Sequence, residues 1–144
     1  MIKTKLTMNS YLNDRKAIDR LKREYLEHNN LVIGFDFDCT VFDYHKEGLE
    51  IQPVVDLLKK CSDLGFTMCL HTKSENDGDS TKKAWHCNEI LKLKIHYINT
   101  SPLMKGKTDS HWPDKPFYSI LLDDRAGLSA SYNILKTTIK ELNL

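Results

Sequence analysis

Two kinds of hydrophobic pattern alternate along the chain. Short apolar stretches, typical of strands buried in a parallel sheet, occur at residues 31–35, 66–70, 95–98 and 117–122. Segments with apolar residues three or four positions apart, typical of amphipathic helices, cover about 10–28, 51–64, 81–93 and 128–139. Strands that alternate with helices predict an α/β protein, a three-layer, doubly wound parallel sheet of about four to five strands.

Local signals set the expected ends of these elements. Asn29 and Asn30 should end the first helix, Pro53 suits the first turn of the second, and Gly65 suits the position just after it. We expect residues 73–80 to form a loop and residues 99–116 to form a long functional connection. The expected buried residues include Tyr11, Leu12, Ala17, Ile18 and Leu21 of the first helix and Ala84, Trp85, Ile90 and Leu91 of the third.

The size and composition are those of an ordinary globular protein. The 144 residues, 40% of them hydrophobic, fit one domain (1–144), in which residues 1–30 form a helical extension packed on the core. The net charge of +1 gives no general attraction to nucleic acid or to acidic membranes. No apolar segment has transmembrane length, and the first residues are too polar for a signal peptide. The four cysteines lack metal-site spacing and read as free, mostly buried thiols, so we expect a cytoplasmic location.

Polar side chains that could take part in catalysis or ligand binding follow three of the expected strands. Asp36 and Asp38 follow the first strand, Thr72 the second, and Asp123 and Asp124 the fourth. Right-handed crossovers bring the carboxyl ends of all these strands to one edge of the sheet. Clustered carboxylates would repel one another unless a hard divalent cation such as Mg²⁺ neutralised them. With one hydroxyl and a lysine, for which Lys115 is best placed, the set suits Mg²⁺-assisted phosphoryl transfer.

These residues carry a family resemblance. The segment Asp36-Phe-Asp38-Cys-Thr40, then Thr72, Lys115 and Asp123-Asp124, resembles in order the four motifs of the haloacid dehalogenase superfamily of phosphohydrolases. The resemblance extends from about Leu31 to the last helix. It implies that Asp36 is a nucleophile that forms an aspartyl-phosphate. It also implies that Asp38 protonates the leaving oxygen and then activates water.

The resemblance also implies a phosphate-binding and a metal-binding set. Thr72, Lys73 and Lys115 would bind the phosphate, although Lys105 and Lys107 lie in the same loop as Lys115. Thr40 would hold the loop of the first motif together. The Mg²⁺ ligands would be Asp36, Asp38 through its backbone carbonyl, Asp123, and Asp124 directly or through water.

The intervals between the motifs leave no room for a separate cap domain. The resemblance then implies an open cleft. Family members with such a cleft often act on macromolecular substrates, or a neighbouring subunit covers the cleft. Only Tyr44–Gly48 and Met104–Trp112 could cover the cleft locally. The position of Lys115 is similar to that in 5′(3′)-deoxyribonucleotidases, which favours nucleotides or nucleic-acid ends as substrates. We therefore expect a Mg²⁺-dependent phosphomonoesterase that has a phosphorylated substrate, makes no membrane contact and could act as an oligomer.

Other interpretations of the same residues are weaker. Val41 stands where a calcium-binding EF-hand loop needs glycine, and the first strand lacks the glycine-rich turn of a dinucleotide-binding unit. A response-regulator receiver has its acidic residues in the reverse order. Two alternatives remain: a non-catalytic binding module with the same fold, and a phosphatase subunit whose first helix docks a partner. Cys39 reads as a small filling residue, Trp112 could stack on substrate, and His71 is notable because it adjoins Thr72.

Overall fold

The computed structural model describes residues 11–102 and 116–144 and has an all-parallel sheet at its centre. The strands are β1 (Val32–Phe35), β2 (Thr67–Leu70), β3 (Tyr97–Ile98) and β4 (Ile120–Leu122), in the spatial order β3-β2-β1-β4. The helices are α1 (Asp14–His28), α2 (Gln52–Asp63), α3 (Asp77–Trp85) and α4 (Leu128–Glu141). The prediction of an α/β protein with a parallel sheet is confirmed.

The strand order creates a switch point at β1. From β1 the chain moves to β2 and β3 on one side, and it later returns to β4 on the other side of β1. The pairing aligns Phe35 of β1 with Leu70 of β2 and with Leu122 of β4. The residues that follow these three are therefore neighbours at one edge. In open α/β sheets, ligands bind at the carboxyl edge beside such a switch point.

The first helix begins later than its apolar pattern suggested. The side chain of Asn13 accepts a hydrogen bond from the backbone N–H of Arg15 at 2.8 Å and caps the helix there. Tyr11 and Leu12 consequently lie outside α1 and are 56% and 94% exposed, so their assignment to its buried face was wrong. The other end agrees with the prediction, since Asn29 adopts a left-handed conformation just after the helix.

The second helix matches its predicted signals at both ends. Pro53 lies in the first turn of α2, and Gly65 follows the helix with a φ of 83°, a conformation that favours glycine. The apolar face of α2 is buried against β2 and α4. The buried residues of this face are Val54, Val55, Leu57, Leu58 and Cys61.

The third helix begins four residues before the predicted start. The Asn76 side chain accepts a hydrogen bond from the backbone N–H of Asp79 at 2.9 Å, so α3 starts inside the expected loop. The helix then continues as a π-helical turn at His86–Ile90, which rotates the buried face. Trp85 and Ile90, expected to point inward, are more than half exposed, whereas Cys87 and Leu93 are fully buried.

The apolar face predicted for the last helix is confirmed, but Leu26, expected on the apolar face of the first helix, is 73% exposed. Leu135 and Ile139 of α4 are buried, and α4 packs against α1 and β4. All four cysteines are free thiols, of which Cys61, Cys69 and Cys87 are buried. Among the helices of residues 11–102 and 116–144, none combines the length and apolar character needed to span a membrane.

Candidate functional site

Asp36 lies at the centre of the carboxyl edge, directly after β1. Its backbone N–H donates to the carbonyl of Leu122 at 2.9 Å, and the carbonyl of Phe35 accepts from the N–H of His71 at 2.8 Å. These hydrogen bonds extend the sheet by one residue on each side. The sheet itself therefore fixes the position of Asp36 between His71, at the end of β2, and Asp123, at the end of β4.

Three carboxyl groups from two strand ends converge at this edge. One carboxylate oxygen from each of Asp36, Asp123 and Asp124 lies within 4.8 Å of the others. Burial, a hydrogen bond with Asp124 and the charge of Asp123 raise the pKa of Asp36 to about 7. Three carboxylate oxygens this close together form a donor set that could hold a hard metal cation.

Hydrogen bonds to the backbone hold the two β4 acids in place. The fully buried Thr40 accepts a hydrogen bond at its Oγ1 from the N–H of Asp124 at 3.2 Å, and the same hydroxyl lies 3.5 Å from an Asp124 carboxylate oxygen. A carboxylate oxygen of Asp123 accepts from the N–H of Arg125 at 2.9 Å. Thr40 thus connects the loop after β1 to the loop after β4, whereas the resemblance implied for it only a role within the first motif loop.

A lysine that the sequence did not single out enters the site from α3. Lys83 has a side chain only 11% exposed, and its Nζ lies 3.4 Å from Asp38 Oδ2 and 3.1 Å from Thr72 Oγ1. The same Nζ donates to the carbonyl of Lys73 at 3.1 Å and lies 3.6 Å from Asp79 Oδ2. The site therefore contains an ammonium group directly beside the hydroxyl of Thr72.

Thr72 is held at the end of β2 by an asparagine beyond β3. The Asn99 side chain accepts from the Thr72 N–H and donates to the Thr72 carbonyl, both at 2.8 Å. This two-point contact satisfies the backbone of a residue that is only 6% exposed. The hydroxyl of Thr72 is consequently presented to Lys83 from a fixed backbone.

Asp38 has different surroundings from the three-acid group. Its carboxylate contacts Lys83, and its side chain is 37% exposed, so it faces solvent and an ammonium group rather than other acids. The acids Asp36 and Asp38, two positions apart in sequence, are therefore separated by environment. Distinct environments of this kind assign distinct acid–base roles to neighbouring carboxyl groups.

A histidine at the end of β2 contacts a tyrosine that covers β1. The Nδ1 atom of His71 lies 3.1 Å from the hydroxyl of Tyr118, and burial raises the pKa of that phenol. The Tyr118 ring covers Gly34 of β1 so closely that a Cβ there would lie 2.5 Å from Tyr118 Cγ. Glycine is thus required at this position for the ring to reach His71.

The site opens into a cavity of about 550 Å³. The predicted acids and the predicted threonine line it: Asp36, Asp38, Thr72, Asp123 and Asp124. Lys73 also lines the cavity, although its side chain is exposed and only its carbonyl makes a hydrogen bond within the site. Lys115, Lys105, Lys107 and Trp112 lie outside the described residues.

Sequence reasoning missed Lys83 and Asn99. The Asn76-x-x-Asp79 spacing is an N-capping signal that would have started α3 earlier, and Lys83 then follows Asp79 by one helical turn. Nothing local marks Asn99, because its role depends on the pairing of β2 with β3.

No protein-family model matches the chain, and searches of curated proteins and of solved structures find no match either.

Proposed function

We propose that this protein is a Mg²⁺-dependent phosphohydrolase with a haloacid-dehalogenase-like fold that cleaves phosphate monoesters through an aspartyl-phosphate. The observation that carries the proposal is the convergence of an acidic group and a hydroxyl–ammonium pair at one edge of the sheet. The three acids Asp36, Asp123 and Asp124 line one cavity with Thr72, and the ammonium group of Lys83 lies 3.1 Å from the hydroxyl of Thr72. A phosphate bound there meets a cation site, a hydroxyl and an ammonium group.

Each site residue has a separate task in this proposal. Thr72 and Lys83 bind the phosphate oxygens, with Lys83 in the role that the resemblance alone gave to Lys115. A carboxylate oxygen of Asp36 attacks phosphorus, the ester P–O bond breaks, and Asp38 gives its proton to the leaving oxygen. In the second half, Asp38 takes a proton from water, which attacks phosphorus and releases inorganic phosphate, restoring the Asp36 carboxylate.

Asp36, Asp123 and Asp124 would hold Mg²⁺, with the Asp38 backbone carbonyl as a further donor. When bound, the ion neutralises phosphate charge and favours the ionised form of Asp36 at neutral pH. Free cysteines fit a reducing compartment, and we propose the cytoplasm as the site of action.

The test is hydrolysis of an aryl phosphate by the purified protein, with Mg²⁺ or with EDTA. We expect turnover that requires Mg²⁺ and that is lost in Asp36→Asn. The matched control is Asp56→Asn, which changes an exposed acid on α2 that does not line the cavity of the site. Full activity in Asp36→Asn would contradict the nucleophile assignment. Absence of both Mg²⁺ binding and turnover across a broad phosphate panel would favour a non-catalytic binding module instead.

A further inference from the structure

His71 is a polar residue of the site cavity that has no task in the reaction proposed above. It directly follows β2 and lines the cavity together with the acids. Its backbone N–H donates to the carbonyl of Phe35 at 2.8 Å, which holds it against the end of β1. The imidazole ring is therefore carried by a rigid part of the sheet.

The pairing of the strands places His71 in one row with two acids. The residues that directly follow β2, β1 and β4 are His71, Asp36 and Asp123, in that order across the edge of the sheet. Neighbouring strands lie about 4.8 Å apart, and side chains at matched positions of parallel strands project to the same face. His71 therefore occupies the position on one side of Asp36, and Asp123 occupies the position on the other side.

One ring nitrogen of His71 has a partner and the other does not. Nδ1 lies 3.1 Å from the hydroxyl of Tyr118, and the two rings meet edge to face with their centroids 5.4 Å apart. Within residues 11–102 and 116–144, Nε2 of His71 makes no hydrogen bond. Since the ring lines the cavity, Nε2 is the polar atom that it offers to a ligand there.

The contact with Tyr118 determines which nitrogen of His71 carries the proton. Burial raises the pKa of Tyr118, which keeps its phenol protonated, and Nδ1 is the one partner that the described residues give to its hydroxyl. Because the O–H donates to Nδ1, the proton of the neutral ring lies on Nε2. The charged ring also has a proton on Nε2. Nε2 is thus a hydrogen-bond donor in both forms of the ring.

We propose that His71 is a phosphate-binding residue whose Nε2–H donates to a phosphoryl oxygen, and that Tyr118 is the positioning residue that orients its ring. This inference rests on the proposed phosphohydrolase function and adds a third donor to Thr72 and Lys83. Adjacent residues of an extended chain direct their side chains to opposite sides, so His71 and Thr72 would reach the phosphate from two directions. A phosphate that lies beside three acids is stabilised by each such donor.

The test uses two substitutions that each keep one of the two nitrogen positions. The amide of glutamine reaches about as far as Nε2, and the amide of asparagine about as far as Nδ1. We expect His71→Asn to lower kcat/KM for an aryl phosphate, and the affinity for inorganic phosphate, about tenfold more than His71→Gln does, because a hydrogen bond to a charged group contributes at least this much. A merely structural role would lower both variants equally, since both lose the ring.

His28→Asn and His28→Gln are the matched controls. His28 is an exposed residue at the end of α1 and does not line the cavity. These two variants should have the same kcat/KM and the same phosphate affinity.

Nitrogen NMR of the purified protein tests the role of Tyr118 without turnover. When His71 is neutral, the wild type should carry the ring proton on Nε2, and Tyr118→Phe should show a mixture of the two tautomers. A wild-type proton on Nδ1 would overturn the inference, and an unchanged tautomer in Tyr118→Phe would overturn the role of Tyr118.

The remaining outcomes separate this inference from the proposed function. Turnover with equal losses in His71→Asn and His71→Gln would overturn the inference while the phosphohydrolase proposal stands. Phosphate binding that is weaker in His71→Asn than in His71→Gln, without turnover of any phosphate ester, would support the role of His71 and overturn the phosphohydrolase proposal. Absence of both phosphate binding and turnover in the presence of Mg²⁺ would overturn both.

Discussion

Replacing Asp36 by asparagine should stabilise the metal-free protein at high pH. Asp36 has a folded-state pKa of about 7, against an ordinary value of 3.8, because of burial and the neighbouring Asp124 and Asp123. A carboxyl group with a raised pKa binds its proton more tightly in the folded state. The stability associated with that proton is fully present below about pH 4 and is lost as the pH rises through about 7.

The size of the effect follows from the same values. The difference between a pKa of 3.8 and a pKa of about 7 corresponds to a change of at most about 4 kcal/mol in the free energy of unfolding. Asp36 is only half-buried, so screening by solvent reduces this to about 2 kcal/mol. Asparagine cannot ionise, and its amide can donate a hydrogen bond to Asp124. Asp36→Asn should therefore raise the melting temperature by about 6 °C at pH 8 in EDTA and change it little at pH 4.5.

Thermal unfolding of both proteins in EDTA at these two pH values measures the effect. Asp43→Asn is a control for which we expect a change in stability of the opposite sign. Although partial desolvation raises the pKa of Asp43, its three backbone N–H donors hold it below the ordinary value, so the variant should destabilise the protein at pH 8. An Asp36→Asn protein that is no more stable than the wild type at pH 8 would refute the proposed repulsion. Mg²⁺ should stabilise the wild type at pH 8 more than it stabilises Asp36→Asn.

Three further predictions concern residues around the acids. Lys83→Met should lower kcat/KM for an aryl phosphate about 100-fold because it removes an ammonium group beside Thr72, whereas Lys59→Met, in an exposed ion pair on α2, should not. Thr40→Val should cost about 1–3 kcal/mol in urea unfolding and weaken Mg²⁺ binding, since the Asp124 N–H loses its acceptor; Thr40→Ser should restore both, and equal behaviour of the two variants would contradict this. Gly34→Ala should cost about 1–3 kcal/mol because its Cβ would overlap the Tyr118 ring, and the cost should shrink in a Tyr118→Ala background; additive effects would contradict the contact.

The order of strands and helices could be predicted from the sequence because burial on both faces of a sheet leaves short apolar runs. The hydrophobic pattern alone missed where α1 and α3 begin, since Asn13 and Asn76 start those helices through side-chain hydrogen bonds. The prediction that Trp85 points inward was wrong for a related reason. The π-helical turn after it changes the helical period on which the prediction depended.

The acidic part of the site was accessible from sequence because each acid follows an apolar run. Parallel pairing then brings Asp36 and Asp123 together whatever the details of the loops. Lys83 could not be placed in this way, because its contact with Thr72 depends on the length and direction of α3. Asn99 depends in the same way on a two-residue strand, β3.

The most direct test of the central claim is to trap the covalent intermediate. Asp38→Asn should still allow attack by Asp36 on an aryl phosphate with a good leaving group, but it removes the base that activates water. After incubation with Mg²⁺ and an acid quench, peptide mapping by mass spectrometry should find phosphate on Asp36. Hydrolysis by the wild type with no phosphate on Asp36 in this variant, or with phosphate on another residue, would contradict the account.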